Sequence, residues 1–536
     1  MTRNTLKYSF VLAGFSCLIA AGQVRPKKDP RLVLLIAVDQ FRYDYLTRFR
    51  DEYKGGLDRL LRNGANFVNA NLDHYPTVTA VGHSTMLSGA TPQTSGIIAN
   101  EWYDREAGKT VTSVSDDSVR LLGGQDVAGE SPRRLLVSTL GDEMKRGMRD
   151  HPKVIGISLK DRASVLPSGH MADAAYWYDT KTGTFVSSTY YFPKLPDWAE
   201  AFNQRRLVDK YAGSEWRFDS GPAGLFKMPA AAGPELANAM YNTPFGSELL
   251  EQFVEEAIRQ EKLGQRDATD LLTVSFSPND PIGHTYGPDS PRAHDISLRT
   301  DRLLAKLFAY LEQTIGMQHV LIVLTADHGV SPLPEELQKE KMPGGRVITA
   351  SLNTRMQNAL VARFGPGQWL VNAAGVYLNL ALIAEKKLDR AEVERVAAQA
   401  IADAPHVARV YTRQQLLLGE VSRDKFSDKI VRSYNARRSG DLEVVLEPYW
   451  IRGATGASHG APFNYDSHIP LIFMGPGVRP GRYARSVVLN DLAPSLATML
   501  NVETPSGSVG QALFEMMTGV ADGAVSRPPA AATPRR

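Results

Sequence analysis

Three short stretches place carboxylates and imidazoles where they could share a metal ion. In NDPIGHTYG, Asp280 and His284 are four apart in what reads as a Pro/Gly loop, in TADHG Asp327 and His328 are neighbours, and GASHGAPFNYDSH carries His459 in a glycine-bounded loop. With Asp39, at the end of RLVLLIAVDQ, they make three Asp and three His, enough for two divalent sites. Mixed oxygen and nitrogen donors suit zinc. Two metals about 4 Å apart can stabilise both the attacking and the leaving oxygen of an in-line phosphoryl displacement. Any one of these pairs alone reads as an ordinary turn or surface feature. Their joint occurrence carries the reading.

Such a centre wants a nucleophile between its metals, and DHYPTVTAVGHSTMLSG supplies Thr77, Thr79, Ser84, Thr85 and Ser88. The run TAVGHSTML is compatible with a helix. A hydroxyl at its start would meet free N–H groups and the positive end of the helix dipole, which favour an alkoxide and a bound phosphate. Thr79 is preferred on that ground and Thr77 comes second, although an ordinary N-cap role would also explain Thr79. In GISLKDRAS, Lys160 and Arg162 are two apart, so an extended backbone would turn both to one face and Asp161 away. A point charge beside a guanidinium fork suits the dianionic oxygens of a phosphate monoester. Asn100, in GIIANEWYD, is an uncharged donor that could complete the cradle.

The elements that must hold these residues are also legible. RLVLLIAVDQ, KVIGISLK, DLLTVSFSPND and HVLIVLTADHG are continuous apolar runs of the kind found in buried parallel strands, and each leads into an Asp, Lys or His. Helical periodicity fills SELLEQFVEEAIRQEKL and SLRTDRLLAKLFAYLEQT between them. The expected fold is α/β, a mostly parallel central sheet with helices on both faces. Open sheets of this kind place ligands at the carboxyl ends of their strands. AAYWYDTKTGTFVSSTYYF reads as an inserted hairpin. The region from about 343 to 446, with helical periodicity from Leu388 to Ala402, reads as an inserted lid subdomain within one catalytic domain spanning 23–523.

Composition excludes more than it names. The chain has 536 residues, 43% hydrophobic and 22% charged, typical of an ordinary globular protein. Arg3 and Lys7 precede an apolar run from Phe10 to Ala21, the layout of a secretory signal over 1–22. That run of about twelve residues is short of the ~20 that a membrane span needs. Export to the periplasm or beyond is therefore expected. The only cysteine, Cys17, falls inside the signal, where lipidation is the alternative fate, so the mature chain would have no disulfide. Without Arg3 and Lys7 the net charge of +3 drops to about +1, which gives no electrostatic case for nucleic acid. SRPPAAATPRR, within 524–536, reads as a disordered tail.

The motifs IAVDQ, YPTVTAVGHSTMLSG, GIIANEWYD, SLKDRAS, PNDPIGHTYGP, TADHG and GASHGAPFNYDSHIP, in that order, resemble the threonine-nucleophile branch of the alkaline phosphatase superfamily, the PafA/PhoK-like periplasmic enzymes. The similarity runs from about Arg31 to Leu513. The Asp-Ser-Ala motif of serine alkaline phosphatases and the Cys/Ser-x-Pro-x-Arg motif of sulfatases are both missing. The resemblance implies an alkaline phosphatase-like fold and two Zn2+. It makes Thr79 the nucleophile that becomes phosphorylated, and assigns Asp39, Asp327, His328 and Thr79 to one zinc and Asp280, His284 and His459 to the other. Asn100, Lys160 and Arg162 would hold phosphate oxygens, with Lys160 standing in for a third, magnesium site.

That resemblance implies hydrolysis of small-molecule phosphate monoesters. A cradle that reads only phosphate is indifferent to the leaving group, so a broad substrate range is expected, and a monomer is expected. Two other readings compete. A phosphodiesterase or nucleotide pyrophosphatase would share the metal ligands, the Thr and the Asn, and Lys160 with Arg162 argues against it because diesters carry one charge fewer. A non-catalytic zinc- or phosphate-binding protein would be expected to have lost the nucleophile or a ligand. A phosphoethanolamine transferase would need membrane helices, and no apolar run after residue 22 is long enough to supply one.

Overall fold

A computed structural model of the protein describes residues 30–217 and 226–519. The expected signal segment with Cys17 and the expected tail lie outside the described residues. The apolar run that opens the described chain forms β1 (Leu32–Val38), every residue of which is buried. Ten further strands join it in one sheet: β2 (Ala65–Phe67), β3 (Ser115–Leu122), β4 (Ala128–Glu130), β5 (Val154–Ser158), β6 (Ala174–Asp179), β7 (Thr184–Ser188), β8 (Asp270–Phe276), β9 (Val320–Thr325), β10 (Leu471–Met474) and β11 (Gly481–Tyr483). Their spatial order is β11-β2-β10-β9-β1-β8-β5-β6-β7-β3-β4. The five central strands, β9-β1-β8-β5-β6, are all parallel, so their carboxyl ends share one edge. The margins are antiparallel, apart from the β2/β11 pair. The α/β class read from the sequence is the class found, and the hairpin read at 174–192 is the β6/β7 pair.

Helices cover both faces, and the register shows how. Gly156, Ala175 and Thr273 align across β5, β6 and β8, so their side chains share a face. There α2 (Asp161–Ser168) presses Ser164 and Ser168 onto the sheet, with the Ser164 hydroxyl bonded to the Gly156 carbonyl at 2.9 Å. A Cβ on Gly156 would lie 2.1 Å from Ser168 Oγ, so only glycine lets this helix approach. One residue along, Tyr176 faces the other way and meets Phe253 of α3 (Pro244–Glu261), with ring centroids 5.3 Å apart. α3 packs in turn against α5 (Pro291–Thr314), where the Tyr310 hydroxyl bonds the Glu255 carbonyl at 3.0 Å.

Two local expectations are corrected. The backbone is not extended from Lys160 to Arg162: β5 stops at Ser158, Lys160 is the extended residue before α2, and Asp161 and Arg162 lie in the helix's first turn. An aspartate there is favoured by the helix dipole, and this turns the chain out of the strand two residues early. Asp280 and His284 lie not in a loop but on the short helix α4 (Asn279–Tyr286). Pro281 fits its first turn, where a missing N–H costs nothing, and the four-residue spacing stacks the two side chains on one helical face.

The segment read as an insertion has an apolar core of its own, built from residues that include Leu352, Met356, Trp369, Val393, Ile401 and Leu442. Helices Thr349–Phe364 and Arg390–Ala402 accompany an antiparallel pair, Val407–Thr412 with Leu442–Leu446. The chain leaves and re-enters through a parallel pairing of Gly345–Val347 with Trp450–Arg452.

Two predictions follow from this packing. In α1 (Thr79–Ser88), a Cβ on Gly82 would lie 2.3 Å from the carbonyl oxygen of Asp327 and 2.7 Å from its Cα. Gly82→Ala should therefore lower the unfolding free energy in urea by about 1–3 kcal/mol. An unchanged midpoint would contradict this packing. His74 is wholly buried with neither ring nitrogen hydrogen-bonded, and burial, aided by Lys429, lowers its pKa to about 3. The unfolded chain protonates this histidine near 6.5. Wild type should thus lose about 1.4 kcal/mol per pH unit on its account as pH falls below that value. His74→Leu should gain stability over wild type progressively between pH 6.5 and ~4.5, and a pH-independent difference would refute the buried neutral state.

Candidate metal centre and phosphate cradle

The four adjacent strands β9, β1, β8 and β5 deliver their next residues to one place. Asp327 and His328 follow β9, Asp39 follows β1, Asp280 follows β8 on α4, and Lys160 follows β5. Lys160 Nζ lies 2.6 Å from Asp39 Oδ2 and 2.7 Å from Asp280 Oδ2. His328 Nε2 lies 3.3 Å from Asp327 Oδ2 and 3.6 Å from Asp39 Oδ1. His284 Nε2 is 3.2 Å from Asp280 Oδ1, and His459 Nε2 is 3.7 Å from the same oxygen. All six carboxylate and imidazole residues singled out in the sequence thus meet. Asp280 belongs to two clusters, one with His284 and His459 and one with Asp39 and His328, and in each the ligand atoms lie within 4.8 Å of one another. The second cluster shows Asp280 reaching the neighbouring group as well as its own.

The tautomers show what these groups face. His284 Nδ1 donates to the Ala457 carbonyl at 2.8 Å, His459 Nδ1 to the Thr77 carbonyl at 2.7 Å, and His328 Nδ1 to the Gly329 carbonyl at 2.9 Å. Carbonyl oxygens only accept, so each neutral ring keeps its proton on Nδ1 and presents the Nε2 lone pair to the carboxylates. His284 and His459 even point these nitrogens at each other, 3.1 Å apart. Lone pairs aimed at carboxylates and at one another repel unless cations stand between them. The buried oxygens agree: Asp327 Oδ2 and both oxygens of Asp39 accept no well-directed hydrogen bond, although Asp39 is ion-paired with Lys160. Three buried carboxylates thus share one ammonium, and this donor set fits divalent metal ions of the zinc type.

Electrostatics divides the carboxylates. Burial, then the neighbouring Asp327, holds the Asp39 carboxyl well above the usual range despite Lys160. Burial also acts to raise Asp280, but the Lys160 ammonium prevails and holds it well below that range. Burial would lower the Lys160 pKa, yet Asp280 and Asp39 together raise it, so the ammonium stays charged. His459 is pushed well down by burial, then by His328 and His284. It therefore stays an uncharged donor, the state a ligand requires.

Thr79 is the first residue of α1, and Val78 takes the N-cap position without a side-chain cap. Its buried Oγ1 lies 3.4 Å from His328 Nε2 and 3.4 Å from Lys160 Nζ. The other hydroxyls are spent elsewhere. Thr77 donates to the Ala461 carbonyl and Asp466, while Ser84, Thr85 and Ser88 donate to carbonyls within or beside the helix. Asn100 Oδ1 accepts the Ala80 N–H at 2.8 Å, which fixes its amide so that Nδ2 is left to donate. Arg162 reaches the same rim from α2, with Nη1 3.3 Å from Asp161 Oδ1 and its buried Nε unpartnered. Asn100 and Arg162 line one open cavity of about 500 Å³.

Gln40, Asn279 and Asp466 also hold the centre and went unread in the sequence, whereas His83 invites reading as a catalytic base that a metal-activated hydroxyl would not need. Gln40, in a left-handed conformation (φ 59°), bonds Asp327 Oδ1 through its backbone N–H and Asp280 Oδ1 through its side chain. Asn279 Nδ2 donates to the Asp39 carbonyl at 2.8 Å. His83, one turn after Thr79, bonds the Thr79 carbonyl and Ser275 and lies 3.4 Å from Asp327 Oδ2, so it sits beneath the centre. Asp466 accepts the Ala461 N–H at 2.7 Å and the Thr77 hydroxyl at 3.1 Å, and Thr77 accepts the Gly460 N–H. That clamp ties the His459 loop to the carbonyl that orients its ring. The only sequence signal for Gln40 and Asn279 is adjacency to a ligand, and Asp466 depends on contacts that span the whole chain.

The chain as a whole has relatives among known proteins. Residues 33–460 match the family described as type I phosphodiesterase / nucleotide pyrophosphatase. A Myroides odoratus protein named calcium-transporting ATPase is 34% identical over 95% of this chain and 98% of its own. The alkaline phosphatase PhoV of Synechococcus elongatus is 36% identical over 91% of this chain and 93% of its own. Alkaline phosphatase PafA of Elizabethkingia meningoseptica is 33% identical over 94% and 97% of the two chains. A crystal structure of PafA superposes with a TM-score of 0.85, covering 91% of this chain and 99% of that one. The chain belongs to the type I phosphodiesterase / nucleotide pyrophosphatase family, on the side of it that holds the PafA-like alkaline phosphatases.

Proposed function

We propose that the protein is a zinc-dependent phosphomonoesterase acting through a phosphothreonine at Thr79. The observation that carries the reading is the position of the Thr79 hydroxyl, at a helix N-terminus and 3.4 Å from both His328 Nε2 and Lys160 Nζ. Asp39, Asp327 and His328, with Thr79, would hold one Zn2+, and Asp280, His284 and His459 the other. When bound, the pair supplies Lewis acidity that lowers the pKa of a hydroxyl and offsets charge on a departing oxygen.

The remaining steps belong to the chain. Asn100 Nδ2, the Lys160 ammonium and the Arg162 guanidinium hold the non-bridging oxygens and turn phosphorus toward Thr79 Oγ1. Thr79 Oγ1 bonds to phosphorus as the ester oxygen leaves and becomes the alcohol, the hydroxyl proton balancing the alkoxide. The positive end of the α1 dipole and Lys160 stabilise the added charge. Water then displaces Thr79 from phosphorus, giving inorganic phosphate and restoring the hydroxyl. Because the cradle reads only phosphate oxygens, a broad substrate range follows. The family's name keeps diester cleavage as the second reading, and the two basic residues, with the alkaline phosphatase relatives, favour the monoester. Among the described residues no helix is long and apolar enough to cross a membrane, and the N-terminal layout supports work outside the cytoplasm.

Steady-state assays with nitrophenyl phosphate and its methyl diester test this. Zinc-loaded protein should favour the monoester, and Thr79→Ala should lose more than about a thousandfold in kcat/KM. Lys160→Ala should lose about a hundredfold on the monoester and less on the diester. A diester preference in wild type would overturn the reading. Asp466→Asn loosens the clamp on His459 and should weaken zinc binding about tenfold in competition with a chromophoric chelator. An unchanged zinc affinity would separate Asp466 from the centre.

A further inference from the structure

A second cleft, of about 440 Å³, opens between the insertion and the loop that carries Asn100. It shares Ala99, Glu101 and Ala374 with the cavity lined by Asn100 and Arg162, so the two are continuous along one wall. A group attached to a phosphate held by Asn100 could extend into it.

The walls have a definite chemistry. Tyr75, Tyr377 and Tyr434 line the cleft, and their hydroxyls donate to the carbonyls of Val444, Arg438 and Gly440 at 3.1, 2.8 and 2.8 Å. Their phenol protons are committed to backbone, and Arg105 already lies over the Tyr377 ring, 4.8 Å from its centroid, so the rings of Tyr75 and Tyr434 are the aromatic carbon the cleft offers. Two carboxylates, Glu443 and Glu101, stand at the wall beside one cation, Arg452, which already donates to the Val444 carbonyl at 2.9 Å. The Glu443 side chain has no hydrogen bond or ion pair with any described residue. Burial pushes its carboxyl up to about 7 against the pull of Arg452. Glu101, exposed where the two cavities join, would repel a leaving group that carries further phosphates.

We propose that this cleft is a leaving-group subsite for organic cations, selecting phosphate monoesters of amino alcohols, with Glu443 pairing the ammonium beside the tyrosine rings. This rests on the phosphomonoesterase reading and deepens it.

The test compares choline phosphate with 3,3-dimethylbutyl phosphate, which has the same shape and no positive charge, using zinc-loaded full-length protein. Wild type should favour choline phosphate by about tenfold in kcat/KM. In Glu443→Gln that ratio should fall to about one, while Glu443→Asp should restore part of it. A wild-type ratio near one, or a ratio that survives Glu443→Gln, overturns the subsite. If neither these esters nor nitrophenyl phosphate is turned over, the phosphatase reading has failed. Calorimetric titration with choline then decides the subsite on its own. Saturable binding lost in Glu443→Gln supports it, and no binding, or equal binding, overturns it.

Discussion

Three aspartates buried without enough positive charge are the constraint on which this structure depends. Asp39, Asp280 and Asp327 converge because β1, β8 and β9 are adjacent and parallel, so their carboxyl ends coincide in space. Lys160, from the next strand along, supplies one ammonium, and the imidazoles supply lone pairs in place of charge. An arrangement so short of cations would be costly as a purely structural feature. It becomes sensible as a cage for divalent metal, and a helix N-terminus then brings a hydroxyl to its edge.

Much of the surrounding structure exists to keep that cage in shape. Backbone carbonyls on loops far apart in sequence fix the proton of each ligand histidine on Nδ1, which aims Nε2 inward. Gly82 lets α1 lie against the Asp327 backbone, and Gln40 accepts a left-handed backbone to reach both Asp327 and Asp280. The segment read as an insertion has an apolar core of its own and provides one wall of the cleft next to Asn100. The core sheet thus carries the candidate centre, and the segment read as an insertion walls the cleft beside it.

The strands that deliver the centre were legible because a buried parallel strand leaves a continuous apolar run, and each run ended near a candidate site residue. The α/β class and the ten chemistry-bearing residues came from those runs together with the motif order. What stayed hidden was local geometry at the strand ends. Lys160 and Arg162 read as neighbours on an extended face, whereas the dipole-favoured aspartate between them starts a helix. Asp280 and His284 read as a loop pair because Pro281 hides a short helix from any propensity argument. The antiparallel margins of the sheet and the Asp466–Thr77 clamp are set by contacts between distant segments, which no local pattern records.

The central claim is that Thr79 itself carries the phosphoryl group between two displacements. The most direct measurement is to mix zinc-loaded enzyme with excess monoester, quench in acid within the first turnovers, and map phosphate on the digested chain by mass spectrometry. The account predicts phosphate on Thr79 alone. Phosphate on Thr77 or Ser84, or none trapped together with inversion of configuration at phosphorus, would contradict it.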